Sequence, residues 1–158
     1  MVRSFAAAVV ALSLATPAFA DDAVSKAAYD LVSNCPTPPD ATAILVALQR
    51  AHRIGISAGF KASGETCWRV RPALAINSLQ FQYICAANHD LTELLPDLYY
   101  LTAGAQPGIS VRLLTRSSLA EVQDWASGYD QKRIGPDRGY VPLPDRKLTQ
   151  FKCSDDDP

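Results

Sequence analysis

The chain has 158 residues, 48% of them hydrophobic and 20% charged, with 15 Lys and Arg against 16 Asp and Glu. That length and composition fit one globular domain with its own core. A formal net charge of −1 excludes the strongly basic footprint of a nucleic-acid binder or of a protein held to an anionic membrane by charge.

The opening stretch, MVRSFAAAVVALSLATPAFA, has the three parts of an export signal. Arg3 supplies the positive start, Phe5 to Leu14 the apolar run, and Ala18-Phe19-Ala20 a small-x-small cleavage site ahead of Asp21. The run is short for a membrane anchor, and Thr16-Pro17 interrupts it. Cleavage after Ala20 removes Arg3 and no acid, leaving 14 basic against 16 acidic residues in a single mature domain, 21–158. No later stretch is long and apolar enough to span a membrane as a helix. Cys35, Cys67, Cys85 and Cys153 all lie in this part. In an exported chain, an even cysteine count points to disulfides and to a periplasmic or secreted location. No pair has C-x-x-C spacing, and His52 and His89 stand far apart, so neither a metal nor a cofactor is expected.

In chain order, Val24, Ala27, Ala28, Leu31 and Val32 recur at helical spacing, which predicts a helix over Ala23 to Asn34. The Pro-rich run from Cys35 to Asp40 breaks it. Asp40 is placed to cap a second helix, Ala41 to Arg53, with Ile44, Leu45 and Leu48 as its apolar face and Gly55 as its stop. This helix is expected to be the main packing element against the sheet. A short strand is expected around Ile56 to Lys61, although its glycines weaken it. Glu65 to Arg71 and Leu79 to Cys85 are rich in residues that suit a pleated surface. Pro72 is expected to end the first of these strands, and Asn77-Ser78 supplies turn chemistry before the second. Symmetric folding about Ile76 sets Cys67 opposite Cys85, within disulfide reach. The same register sets Arg69 opposite Tyr83 and Arg71 opposite Phe81, all on the disulfide's face. Trp68, Val70 and Ile84 then point to the core. Cys35 and Cys153 are left to pair with each other, although four cysteines allow three connectivities.

Farther along, Asp90 to Glu93 resembles a capping box opening a short helix that Pro96 ends. Tyr99 to Ala103 and Ile109 to Thr115 flank GAQPG as a hairpin. Ser118 to Glu121 is a cleaner capping box for a helix ending near Gly128. The remainder, 128–158, reads as a loop-rich C-terminal arm with a last short strand at Leu148 to Cys153. The expected fold is one small α+β domain, stabilised by disulfides. Its sheet is mainly antiparallel, of about four or five strands, with two or three helices on one face.

Chemistry is sparse. The chain has no G-x-S-x-G, H-E-x-x-H or P-loop pattern. His89 stands beside Asp90, a potential general base, but Asp90 is equally suited to cap the helix that follows. His52 lies near a helix C-terminus, where its charged form suits the dipole. The function expected is therefore noncatalytic binding to another protein of the envelope or exterior, as an inhibitor, immunity or accessory factor. Tyr and Arg are favoured interface anchors. They mark two candidate surfaces: Arg69, Arg71, Phe81 and Tyr83 on the hairpin, and Tyr129, Arg133, Arg138 and Tyr140 on the arm. Acids and bases nearly cancel in the arm, so nucleic acid is not an expected partner. Two alternatives compete. One is a small hydrolase whose site is assembled around His89 or His52. The other is a small-ligand carrier with a cavity between the sheet and the second helix.

Overall fold

The computed structural model describes residues 18–35, 41–55, 59–62, 65–86, 110–129, 133–136 and 148–154. The helices are α1 (Ala18–Asn34), α2 (Thr42–Arg50) and α3 (Leu119–Ala126). The strands are β1 (Phe60–Ala62), β2 (Glu65–Ile76), β3 (Leu79–Ala86), β4 (Ser110–Thr115), β5 (Arg133–Pro136) and β6 (Thr149–Ser154). They form one antiparallel sheet in the order β1-β2-β3-β4-β6-β5. The α+β class and the antiparallel sheet are as expected. The sheet reaches six strands by counting two short edges, β1 and β5, of three and four residues. The second of these runs through the arm that reads as loop in the sequence. The expected Tyr99–Ala103 strand, the Asp90 capping box and the leader up to Pro17 lie outside the described residues, and α1 begins at Ala18.

The helices share one face of the sheet. Val24, Ala28, Leu31 and Val32 of α1, Ile44, Leu45 and Leu48 of α2, and Val122 and Ala126 of α3 join one core cluster with Trp68, Ile84, Leu113 and Phe151. Strand alternation builds the sheet's side of this cluster: Trp68, Val70, Leu74 and Ile76 are buried at alternate positions of β2, and Arg69, Arg71 and Ala75 are exposed between them. Each large side chain so buried contributes about 1.5–3 kcal/mol of transfer free energy. α1 shares the packing expected of the second helix, since it meets both α2 and β2 while α2 sends Ile44, Leu45 and Leu48 into the same core.

α2 stops three residues short of the expected Arg53, and Gly55 plays no part in stopping it. His52 adopts φ 55°, and its N–H donates to Gln49 O at 2.9 Å. The Arg53 N–H donates to Leu48 O at 2.8 Å. This is the two-bond closure of a Schellman motif, with a histidine in the left-handed position usually given to glycine. At the other end Ala41 is the N-cap and makes no side-chain cap bond, and Asp40 lies outside the described residues. In α3 the expected capping box is complete. The Glu121 N–H donates to Ser118 Oγ at 3.3 Å, and the Ser118 N–H donates to Glu121 Oε2 at 2.6 Å.

Both disulfides have the expected partners. Cys35–Cys153 has a Cα–Cα distance of 5.4 Å and ties the end of α1 to β6. Cys67–Cys85 links β2 to β3. None of the described cysteines is free, a state that fits an oxidising compartment. No helix among the described residues is long and apolar enough to cross a membrane.

Candidate functional site: the disulfide face of the β2–β3 hairpin

Cys67 and Cys85 are directly opposed, with Cα atoms 3.9 Å apart. So short a Cα separation is that of a non-hydrogen-bonded pair, where β-carbons approach most closely. The Arg71 N–H points away from β3 and donates to Arg53 O at 2.8 Å. Arg69 lies opposite Tyr83, as expected.

Beyond Arg69 the register shifts. The next pair is Leu74–Phe81, so β2 spends residues 70–73 where β3 spends Gln82 alone. A tight turn at Asn77-Ser78 and a disulfide pairing symmetric about Ile76 are incompatible in an unbroken ladder, and the bulge absorbs the difference. This is why Pro72 does not end the strand. It sits in the bulge, where no ladder N–H is required, and β2 continues to Ile76. Arg53 covers the bulged edge. Its Nη2 donates to Pro72 O at 2.9 Å and to Ala73 O at 2.7 Å.

The bulge also moves Phe81. Against β4, Phe81 pairs with Thr115 and Tyr83 with Leu114, so Gln82 is an extra residue in β3 too. An extra residue switches the side on which the strand's side chains emerge. Phe81 therefore leaves the disulfide's face and is fully buried among the helices, 5.4 Å from the Trp125 ring. The expected pairing of Arg71 with Phe81 does not occur. Tyr83 stays on the disulfide's face but is only 4% exposed, packing edge-on against Phe60. With Cys67, Cys85, Leu114 and Leu148 it forms a small second apolar cluster. Of the four hairpin residues singled out in the sequence, Arg69 and Arg71 are exposed.

A buried ion pair on this face has no counterpart in the sequence reading. Glu65 and Arg112 side chains are each 5% exposed, and Arg112 Nη2 donates to Glu65 Oε1 at 3.0 Å. Arg112 Nη1 donates to Gln150 Oε1 at 2.6 Å. The available signal was an arginine between Val111 and Leu113, on a strand otherwise rich in apolar residues. Ligand atoms of Glu65, Cys67 and Cys85 lie within 4.8 Å of one another. The two sulfurs are bonded to each other, and the carboxylate is held by Arg112, so the group is committed to structure.

The arm residues fall elsewhere. Tyr129 is 8% exposed, beside Trp125 at a ring distance of 4.9 Å, and its hydroxyl accepts from Asn77 Nδ2 at 2.8 Å. It anchors the hairpin tip, and burial pushes its phenol pKa up, aided by the nearby Tyr29 and opposed by the Asn77 bond. Arg133 is on β5, opposite Lys152. Arg138, Tyr140 and His89 lie outside the described residues, and His52 is exposed on the α2 turn.

No protein-family model, curated protein or solved structure matches the chain.

Proposed function

We propose that the protein is an exported, noncatalytic protein-binding domain of the periplasm or cell exterior, and that the exposed arginines of the hairpin, Arg69 and Arg71, mark its contact surface. One observation carries this reading. Arg69 and Arg71 are exposed on a strand whose neighbouring positions, Trp68 and Val70, are 0% and 3% exposed and whose start is cross-linked through Cys67. A backbone fixed in this way presents the two arginines with little backbone ordering left to lose, so that the cost of binding falls on their side chains. Arginine is also among the residues most often found at the energetic centre of protein interfaces. The two disulfides support a life outside a reducing cytosol.

The test is capture from an envelope extract with the oxidised protein as bait, comparing wild type with Arg69→Ala. The expected result is a partner whose affinity falls by about 2 kcal/mol in the variant, the scale of an interface hot spot. The melting temperature should barely change, because the side chain is exposed. Tyr83→Ala is unsuitable for the comparison, since truncating a buried aromatic destabilises the fold itself. A partner that binds Arg69→Ala and Arg71→Ala as tightly as wild type overturns the assignment of this face.

A further inference from the structure

The exposed carboxylates among the described residues are sorted by element, and the cations are not. Exposed cations stand on the sheet, at Lys61 on β1 and Arg69 and Arg71 on β2, just beyond β4 at Arg116, and on the helices at Lys26 of α1 and Arg50 of α2. The exposed acids lie on the helices, at Asp21 and Asp22 of α1 and Glu121 and Asp124 of α3. The described carboxylate on the sheet, Glu65, is buried against Arg112. Among the described residues no carboxylate pairs with Arg69 or Arg71, whereas Arg53, with Asp21 at 3.7 Å, and Lys26, with Asp30, do have acid partners.

We propose that Arg69 and Arg71 dock an extended segment of a partner protein that carries carboxylates on alternate residues. This rests on the binding reading above and names the partner's chemistry. Three features favour it. Two residues of extended chain span at most about 6.8 Å, so Arg69 and Arg71, at the start of the bulge, are close enough to take two carboxylates of one short extended segment. A guanidinium takes a carboxylate through two parallel N–H donors, which adds direction to charge. The site is also bounded. A long polyanion such as nucleic acid would extend past the two arginines toward the exposed acids of α1 and α3, in a protein whose formal net charge is −1, while a short acidic segment would not.

The experiment uses the oxidised protein and three probes over one shared salt series: a capped peptide of alternating Thr and Glu, its Thr and Gln counterpart, and a short DNA duplex. The Glu peptide is expected to bind and to weaken as salt rises, and the Gln peptide is not expected to bind. Arg69→Gln and Arg71→Gln should each lower the Glu-peptide affinity about tenfold, the effect of losing one charge-assisted contact. Lys26→Gln on α1 should leave it unchanged. Equal binding of the Gln peptide, indifference to both arginine substitutions, or tighter binding of the duplex each overturns the proposal. Capture of a protein partner that is lost in Arg69→Gln, combined with no binding or competition by the Glu peptide, refutes the carboxylate inference and leaves the binding surface standing. Capture unaffected by either arginine substitution refutes the surface as well.

Discussion

Glu65 and Arg112 are a pair of opposite charges carried into the interior within reach of the Cys67–Cys85 disulfide. Desolvating two ions costs several kcal/mol each, and the pair is tolerated because each finds the other at 3.0 Å and Gln150 takes a second Arg112 donor. Such a pair is therefore more dangerous to break than to replace. Arg112→Ala or Glu65→Ala alone leaves one buried charge without its counterion, and each is expected to cost about 3–5 kcal/mol. Replacing both, with Glu65→Leu and Arg112→Met, should cost far less than the sum of the single losses, because the remaining groups are apolar and of similar volume. Urea unfolding of the three variants checks this, and near-additive losses would show that the two side chains are energetically independent. Legibility at this scale divides by residue type. Trp68, Ile84 and the cysteines are readable because apolar character predicts burial. A buried arginine is not, since its burial depends on a carboxylate that lies 47 residues away in sequence.

α3 shows what a local signal can determine. Ser118 and Glu121 bond each other's backbone N–H, both in one turn and both legible as a capping box. The Ser118 backbone bond, then the Ser118 hydroxyl, holds the Glu121 carboxyl below its usual pKa. A depressed carboxylate pKa gives stability that is present above its unfolded value and lost as pH falls through the folded one. Separately, Ser118→Ala removes the N-cap acceptor and should cost about 1 kcal/mol. Thermal unfolding between neutral pH and pH 3 should show less acid sensitivity in Glu121→Gln than in wild type. Equal acid sensitivity in the two proteins would mean that the cap does not contribute to the pH dependence. Elements defined by long-range geometry were harder to read. The two-residue turn at Asn77, with φ 52°, and the Cys67–Cys85 pair were each visible in the sequence. The bulge needed to satisfy both was not, and with it went the side taken by Phe81 and the passage of β2 through Pro72. The edge strand β5 was equally hidden, because Arg133-Ile-Gly-Pro136 has only one residue type that favours strands.

Over the whole molecule, the two cross-links constrain very different lengths of unfolded chain. Cys35–Cys153 spans 118 residues and joins the end of α1 to the next-to-last strand of the sheet order, while Cys67–Cys85 spans 18 within one hairpin. In the chain-entropy account the longer loop stabilises by about 5 kcal/mol and the shorter by about 3 kcal/mol. A domain of this size is stable by about 5–15 kcal/mol in total, so loss of the longer link brings it near the unfolding threshold. The structure adds a second reason for the same order. The hairpin already has a two-residue turn and a ladder to hold it, whereas α1 meets the sheet through side-chain packing that the Cys35–Cys153 link holds in register. Cys35→Ala with Cys153→Ala is therefore expected to lower the free energy of unfolding more than Cys67→Ala with Cys85→Ala, by about 2 kcal/mol in urea titrations at one pH. If the hairpin pair instead proves the costlier to remove, the loss of two fully buried sulfurs beside Tyr83 and Leu114 outweighs chain entropy. The small cluster on the hairpin's disulfide face would then depend on its disulfide for packing as well as for connection.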